Sequence, residues 1–166
     1  MVKKLNKQQQ LYVEDVALYY ETFGLPRIAG RILGWLMICD PPERTASELM
    51  QELGASKGSV STMLRLLLTG GIVRRVAKPR SRVTHYAFQD DGFEAIMDAR
   101  LAEYNGFEPL AQRGLQLLRE QGASREQTRR LRTQRAMYLF LRREFAALAI
   151  KWRAEREQLI NGEDGS

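Results

Sequence analysis

Acidic residues are missing from the middle of this chain: between Leu53 and Gln89 there is no Asp and no Glu. That absence excludes local charge relief for the basic residues in the same 37 positions: Lys57, Arg65, Arg74, Arg75, Lys78, Arg80 and Arg82. Cysteine is nearly absent as well. A lone Cys39 permits no intramolecular disulfide, in keeping with a reducing compartment. With a single histidine, His85, it also excludes the usual Cys/His metal clusters, so neither metal nor cofactor is expected. No apolar run approaches the roughly 20 residues needed to span a bilayer. The polar start, Met1 to Gln10, lacks the apolar stretch of a signal peptide. The expected place is therefore the cytoplasm, away from membranes. There is no glycine-rich phosphate loop and no Ser or Cys nucleophile with a histidine at motif spacing, so an enzyme is not expected.

What is present is a soluble, globular composition, 44% hydrophobic and 28% charged over 166 residues. That length fits one domain, or one domain with appended helices. The chain nets +6, so everything outside the acid-free window nets −1. Positive charge so concentrated suits a polyanion, because each Lys or Arg that neutralises a phosphate releases a condensed counterion.

Apolar spacing predicts a helix from about Lys7 to Phe23, in which Leu11, Val16, Tyr19, Tyr20 and Phe23 recur at helical spacing. Gly24 ends it and Pro26 opens a second helix, whose apolar face holds Ile28, Ile32, Leu33, Trp35, Leu36 and Ile38. Pro41-Pro42 stops that helix. Thr45 and Glu48 form a capping-box pair for a short helix, Ala46 to Leu53. Gly54-Ala55 makes a turn, and Ser56 caps a helix to about Thr69 with Val60, Met63, Leu64 and Leu67 inward. Two β-like stretches follow, Ile72 to Ala77 and Val83 to Phe88, joined by the basic tip Lys78-Pro79-Arg80-Ser81-Arg82.

The expected fold is mainly α with a small β-hairpin wing: a winged helix-turn-helix with flanking dimerisation helices. The expected segments are an N-terminal dimerisation helix (1–24), the winged helix-turn-helix (25–90), C-terminal dimerisation helices (91–160) and a disordered tail (161–166). The helical stretch after Gly92 is expected to break near Asn105-Gly106. Ser124 is the expected cap of a last helix reaching about Leu159. That helix carries a seam of large side chains, Tyr138, Leu141, Phe145, Leu148 and Trp152, at coiled-coil-like spacing. The seam offers more apolar surface than one small winged-helix domain needs, which predicts a homodimer.

A helix fits the major groove, and its N-terminal residues reach base edges. Ser56, Lys57, Gly58, Ser59, Ser61 and Thr62 are therefore the candidate contacts, with Arg65 on phosphate. Gly58 either permits a close backbone approach or is a tolerated small residue. On the wing, Lys78, Arg80 and Arg82 are candidates, since a wing tip lies beside the minor groove, where arginine is favoured. Arg74 and Arg75 alternate across a strand, so at most one faces DNA from it. His85 is expected to pack at the hairpin base, and Cys39 to be a small buried hydrophobe. Tyr19, Tyr20, Phe23 and Trp35 are read first as core and dimer packing, and second as the walls of an effector pocket. The competing function is a winged-helix adaptor for protein partners. An adaptor, however, needs no acid-free window.

These residues resemble the MarR-like winged-helix regulators, and within them the GbsR/MarR branch that contains repressors of glycine-betaine synthesis and uptake. The segment from Phe23 to Gly34 (FGLPRIAGRILG), the segment Ser56-Lys57-Gly58-Ser59-Val60-Ser61 and the wing ending at Tyr86 carry the resemblance, which covers Phe23 to about Phe88. It implies a homodimeric repressor on a pseudo-palindromic operator in double-stranded DNA, often released by a small effector, with no catalysis. The branch makes a quaternary ammonium such as choline the first effector to try. Family wings often carry Pro-Gly-x-Arg, whereas this chain has Pro79-Arg80-Ser81-Arg82.

Overall fold

The computed structural model describes residues 4–79 and 82–163. The chain divides into two compact units between Ala95 and Ile96. The first holds α1 (Lys7–Glu21), α2 (Arg27–Ile38), β1 (Arg44–Thr45), α3 (Ala46–Leu53), α4 (Lys57–Thr69), β2 (Val73–Val76) and β3 (His85–Phe88). α5 (Gly92–Glu120) starts in the first unit and continues into the second, which also holds α6 (Arg125–Glu163).

α2 is the centre of the first unit. Ile32, Leu33, Trp35 and Leu36 are buried on it, and Leu49, Leu53, Val60, Leu64 and Leu67 meet it from α3 and α4. α1 lies on the opposite side of α2 at very short range. A Cβ placed on Gly30 would stand 2.7 Å from the Ala17 Cα, so only glycine permits this crossing. Close backbone approach changes the inward face of α1. Its buried residues are the small Val13 and Ala17, whereas Leu11, Tyr19 and Phe23, expected inward, are 56%, 60% and 66% exposed. Of the expected residues Val16 does meet α2, where a Cβ on Gly34 would stand 3.0 Å from the Val16 Cβ, while Leu11, Tyr19 and Phe23 are left open. α1 is also packed within the winged-helix unit instead of forming a segment of its own.

α1 begins with a reciprocal capping box between Asn6 and Gln9, and α3 with the expected one between Thr45 and Glu48. Gly54, at φ 60°, supplies the left-handed turn between α3 and α4. The sheet has three antiparallel strands in the order β1-β3-β2, one more than the pattern predicted. β1 is only two residues long, too short for any alternation to be legible. It pairs Arg44 with Tyr86 and Thr45 with His85, which ties the start of α3 to the wing.

In the second unit α5 runs through Asn105 and Gly106 without a break, and even through Pro109. Packing on both sides of that point holds it. Tyr104 stacks on Phe145, and Phe107 stacks on Tyr138 at 4.3 Å between ring centres. Tertiary contacts here outweigh the roughly 1 kcal/mol helix cost of a glycine. Ser124 caps α6 in a reciprocal box with Gln127. Residues Asn161 to Glu163, expected in a disordered tail, continue α6.

Candidate nucleic-acid interface

The exposed face of α4 starts at a capped end. The Ser56 hydroxyl accepts the Ser59 amide at 3.2 Å and donates to the Ser59 hydroxyl at 2.9 Å. Both serines are thus engaged with each other, and Ser59 is half-buried. Beyond the cap, Lys57, Ser61 and Arg65 follow one another at four-residue intervals and all are exposed. Gly58 and Thr62 form the neighbouring row, also exposed. A Cβ on Gly58 would meet nothing within 4 Å, so nothing inside the chain demands glycine there. Among the described residues, neither Lys57 nor Arg65 has an acidic partner. The result is a basic, hydroxyl-bearing row about 12 Å long, at 1.5 Å rise per residue.

The wing contributes unevenly. Arg82 is exposed, whereas Arg80 and Ser81 lie outside the described residues. Arg74 stands opposite Ala87 and Arg75 opposite Tyr86, and both arginines are exposed. Lys78, one of the expected DNA contacts, is already paired with Glu43. That pair ties the wing to the loop after α2. The reason it was missed is simple: Glu43 lies ten residues before the acid-free window, and the fold returns it to the window's edge.

A second group positions the interface without joining it. Arg44 is buried, with its Nε 3.1 Å from both Glu52 oxygens. Its remaining nitrogens donate to the carbonyls of Asp40, Pro41 and Glu43. Trp35 donates to the same Glu52 carboxylate at 2.7 Å, and the Arg44 guanidinium lies 5.2 Å from the centre of its ring. One network therefore joins α2, the loop after it, β1 and α3. Arg31 adds a bond to the Leu53 carbonyl at the end of α3, beside an ion pair with Glu14 on α1. The sequence signal for the network was a buried tryptophan needing an acceptor for its N–H.

The proposed effector residues do not form one group. Tyr19 meets Tyr20 and Phe23 edge-on, each at 5.2 Å. Trp35 belongs to the Arg44–Glu52 network instead. His85 is half-buried with Nδ1 3.1 Å from the Val83 carbonyl, and it stands opposite Val76 at the loop end of the ladder, not at the expected hairpin base. Cys39 is buried, which pushes its thiol pKa up and favours the neutral, unreactive form.

The seam on α6 is divided in a similar way. Tyr138 and Phe145 are stacked on α5 of the same chain, whereas Leu148 and Trp152 are exposed and Leu141 is half-exposed. Among the described residues, no group of three or more His, Cys, Asp or Glu could hold a metal ion. No helix there is long and apolar enough to cross a membrane.

Comparison with known proteins meets this geometry from two sides. A family model for the MarR family matches residues 23–82, and one described as the MmpR5-like MarR family transcriptional regulator matches residues 91–155. The HTH-type transcriptional regulator MmpR5 of Mycobacterium tuberculosis is 35% identical over 130 residues, covering 78% of each chain. The HTH-type transcriptional repressor OpcR of Bacillus subtilis is 28% identical over 92 residues, 55% of this chain and 49% of that protein. A crystal structure of a transcriptional regulator superposes with a TM-score of 0.74 at 31% identity, covering 89% of this chain and 99% of that one. These likenesses carry the MarR-type part of the sequence resemblance and do not single out its GbsR branch.

Proposed function

We propose, from the premise that this chain belongs to the MarR family of transcriptional regulators, that α4 is its DNA-reading helix and that it represses from an operator in the cytoplasm. The family is one of regulators and not of enzymes. The observation that carries the reading is the row Lys57, Ser61, Arg65, exposed at the capped start of α4 in a 37-residue window without an acid. Lys57, Gly58, Ser61 and Thr62 face base edges, and Arg65 holds phosphate. Arg82, with Arg80 beside it in sequence, is the wing's contact to the flanking minor groove. Ser56 and Ser59 act chiefly as the cap that aims this row.

The binding unit is a homodimer on a pseudo-palindromic site, its two reading helices about 34 Å apart. The exposed apolar side chains of α1 and α6 support that reading, since they are unburied in one chain. An effector that shifts the spacing of the reading helices must bind one spacing better than the other. The Tyr19–Tyr20–Phe23 group is its candidate wall, with choline the first compound to titrate.

Genome-wide footprinting identifies the operator, and binding to it is then measured against salt. If each subunit neutralises about three phosphates, the slope of log K on log salt is roughly −5. Lys57→Ala, Arg65→Ala and Arg82→Ala are each expected to weaken binding in a folded protein. Unchanged affinity in all three removes this face from the assignment and favours the adaptor reading.

A further inference from the structure

Outside the winged helix, the densest charge lies around the turn between α5 and α6. From Arg113 to Arg143 the chain has nine arginines and two acids, Glu120 and Glu126. Arg135 is held by Glu108, Arg143 by Glu144, and Arg142 reaches Asn105. Arg113, Arg119, Arg125, Arg130 and Arg132 have no acidic partner among the described residues. On α6, Arg125, Arg129 and Arg132 lie within about 60° of one another around the helix and span about 10 Å along it. Together with Glu126 and Thr133 they line a groove of about 510 Å³. Glu126 stands 3.7 Å from Arg129 in an exposed ion pair, loose enough for a phosphate to displace.

We propose that this groove is a second phosphate-binding surface, which grips the backbone of duplex DNA outside the bases read by α4. Three guanidinium groups rooted over about 10 Å of helix reach three successive phosphates of one strand, which span about 7 Å along the duplex axis at about 3.4 Å per step, because long arginine side chains converge over that difference. Guanidinium forks suit phosphate oxygens, and Thr133 adds a hydroxyl donor. The lining carries no apolar side chain to enter an acyl layer, which favours a nucleic acid over a lipid surface. Bound there, the arm adds sequence-independent affinity, extends the protected stretch of the operator or holds a second duplex segment.

The test uses the full chain and two probes, the operator trimmed to its protected core and the same operator centred in about 80 bp. The triple variant Arg125→Gln, Arg129→Gln, Arg132→Gln is compared with wild type and with the corresponding triple lysine variant. Wild type is expected to bind the long probe about tenfold tighter than the core. The glutamine variant loses that advantage, its salt slope falls by about 3 per arm on the long probe, and its affinity for the core stays unchanged. The lysine variant keeps most of the advantage. Protection of flanking base pairs, against retention of a second labelled duplex, separates one DNA molecule from two. Equal binding of wild type and glutamine variant to the long probe overturns the proposal. So does an equal loss on both probes, or binding to phosphatidylserine vesicles that the glutamine variant alone loses while its binding to the long probe is unchanged. Failure of the α4 reading gives a different signature, a wild type that does not distinguish the core operator from random sequence.

Discussion

In the first compact unit six sizeable side chains, Val13, Ile32, Leu33, Leu49, Val60 and Leu67, are less than 2% exposed. In the second, the buried residues described are Ala111, Leu115, Thr128 and Ala149, while Leu117, Phe140, Leu148, Ile150 and Leu159 stand open. Burying a large apolar side chain contributes about 1.5–3 kcal/mol, so the first unit has an internal reason to fold and the second has little. Two helices of 29 and 39 residues with so few buried apolar groups among the described residues leave an apolar surface uncovered, which is what the proposed homodimer would bury. The difference teaches where each function resides. On the proposed reading, the first unit holds the DNA-reading helix on a core of its own, and the two helices of the second unit, the arm, complete theirs against a second copy.

The contrast is broken most severely inside the first unit. Glu52→Ala leaves the buried Arg44 without its counter-charge and Trp35 without its acceptor. Removing one member of a buried ion pair costs about 3–5 kcal/mol. Urea unfolding should show a loss of that size. A midpoint unchanged within error sinks the claim that this network sets α3, and through it α4.

In the arm, Leu148→Glu with Leu159→Glu changes two exposed side chains and spares the Tyr104–Phe145 stack. Wild type should sediment as a dimer at micromolar concentration and the variant as a monomer, with operator affinity lower by about a hundredfold, or 2.7 kcal/mol. A dimeric variant, or a monomeric wild type, contradicts the division of labour. Phe145, which looked like an intersubunit residue in the sequence, is the wrong position for this test, because its ring packs within the chain.

A smaller effect sharpens the comparison within the winged helix itself. Lys57 is exposed without an acidic partner, whereas Lys78 is paired with Glu43. Lys57→Ala should weaken operator binding about tenfold, or 1.4 kcal/mol, and Lys78→Ala by less than threefold. Equal losses measured by fluorescence anisotropy show that the Glu43 pair opens on DNA and that Lys78 joins the contact.

Local chemistry made much of the first unit legible. The Thr45–Glu48 box, the Ser56 cap, the left-handed Gly54 and the inward Val60, Leu64 and Leu67 follow from residues within four positions of one another. The failures all involve distance. The Gly30–Ala17 crossing turned the large side chains of α1 outward. Glu43 reached Lys78 across 35 positions, and the stacks of Tyr104 and Phe107 kept α5 whole where Asn105-Gly106 suggested a break. The α4 row was readable because a helix places residues four apart on one side. The arm's arginines passed unread because whole-chain bookkeeping outside the acid-free window cancels them against acids elsewhere.

The smallest effect concerns the cap that begins α3. Burial raises the Glu48 carboxyl pKa, but the Thr45 amide and hydroxyl, with Arg44 and His85 nearby, outweigh it and hold it below the ordinary glutamate value. The amide lies 2.7 Å and the hydroxyl 2.8 Å from its Oε2. A carboxylate whose pKa falls on folding binds its proton more weakly in the native state. Its stabilising contribution is therefore full above the unfolded value and lost as pH falls through the folded one. The stability difference between wild type and Glu48→Gln should stay constant from neutral pH to about 5 and shrink on further acidification. Thr45→Ala, which removes the reciprocal acceptor for the Glu48 amide, should cost about 1 kcal/mol at neutral pH. Because β1 pairs Thr45 with His85, that loss should slightly loosen the wing as well. Amide exchange would then quicken at His85 and Tyr86 and stay unchanged in α6. Faster exchange confined to α3, with the β3 amides unaffected, shows instead that the cap stabilises its own helix and does not communicate with the wing.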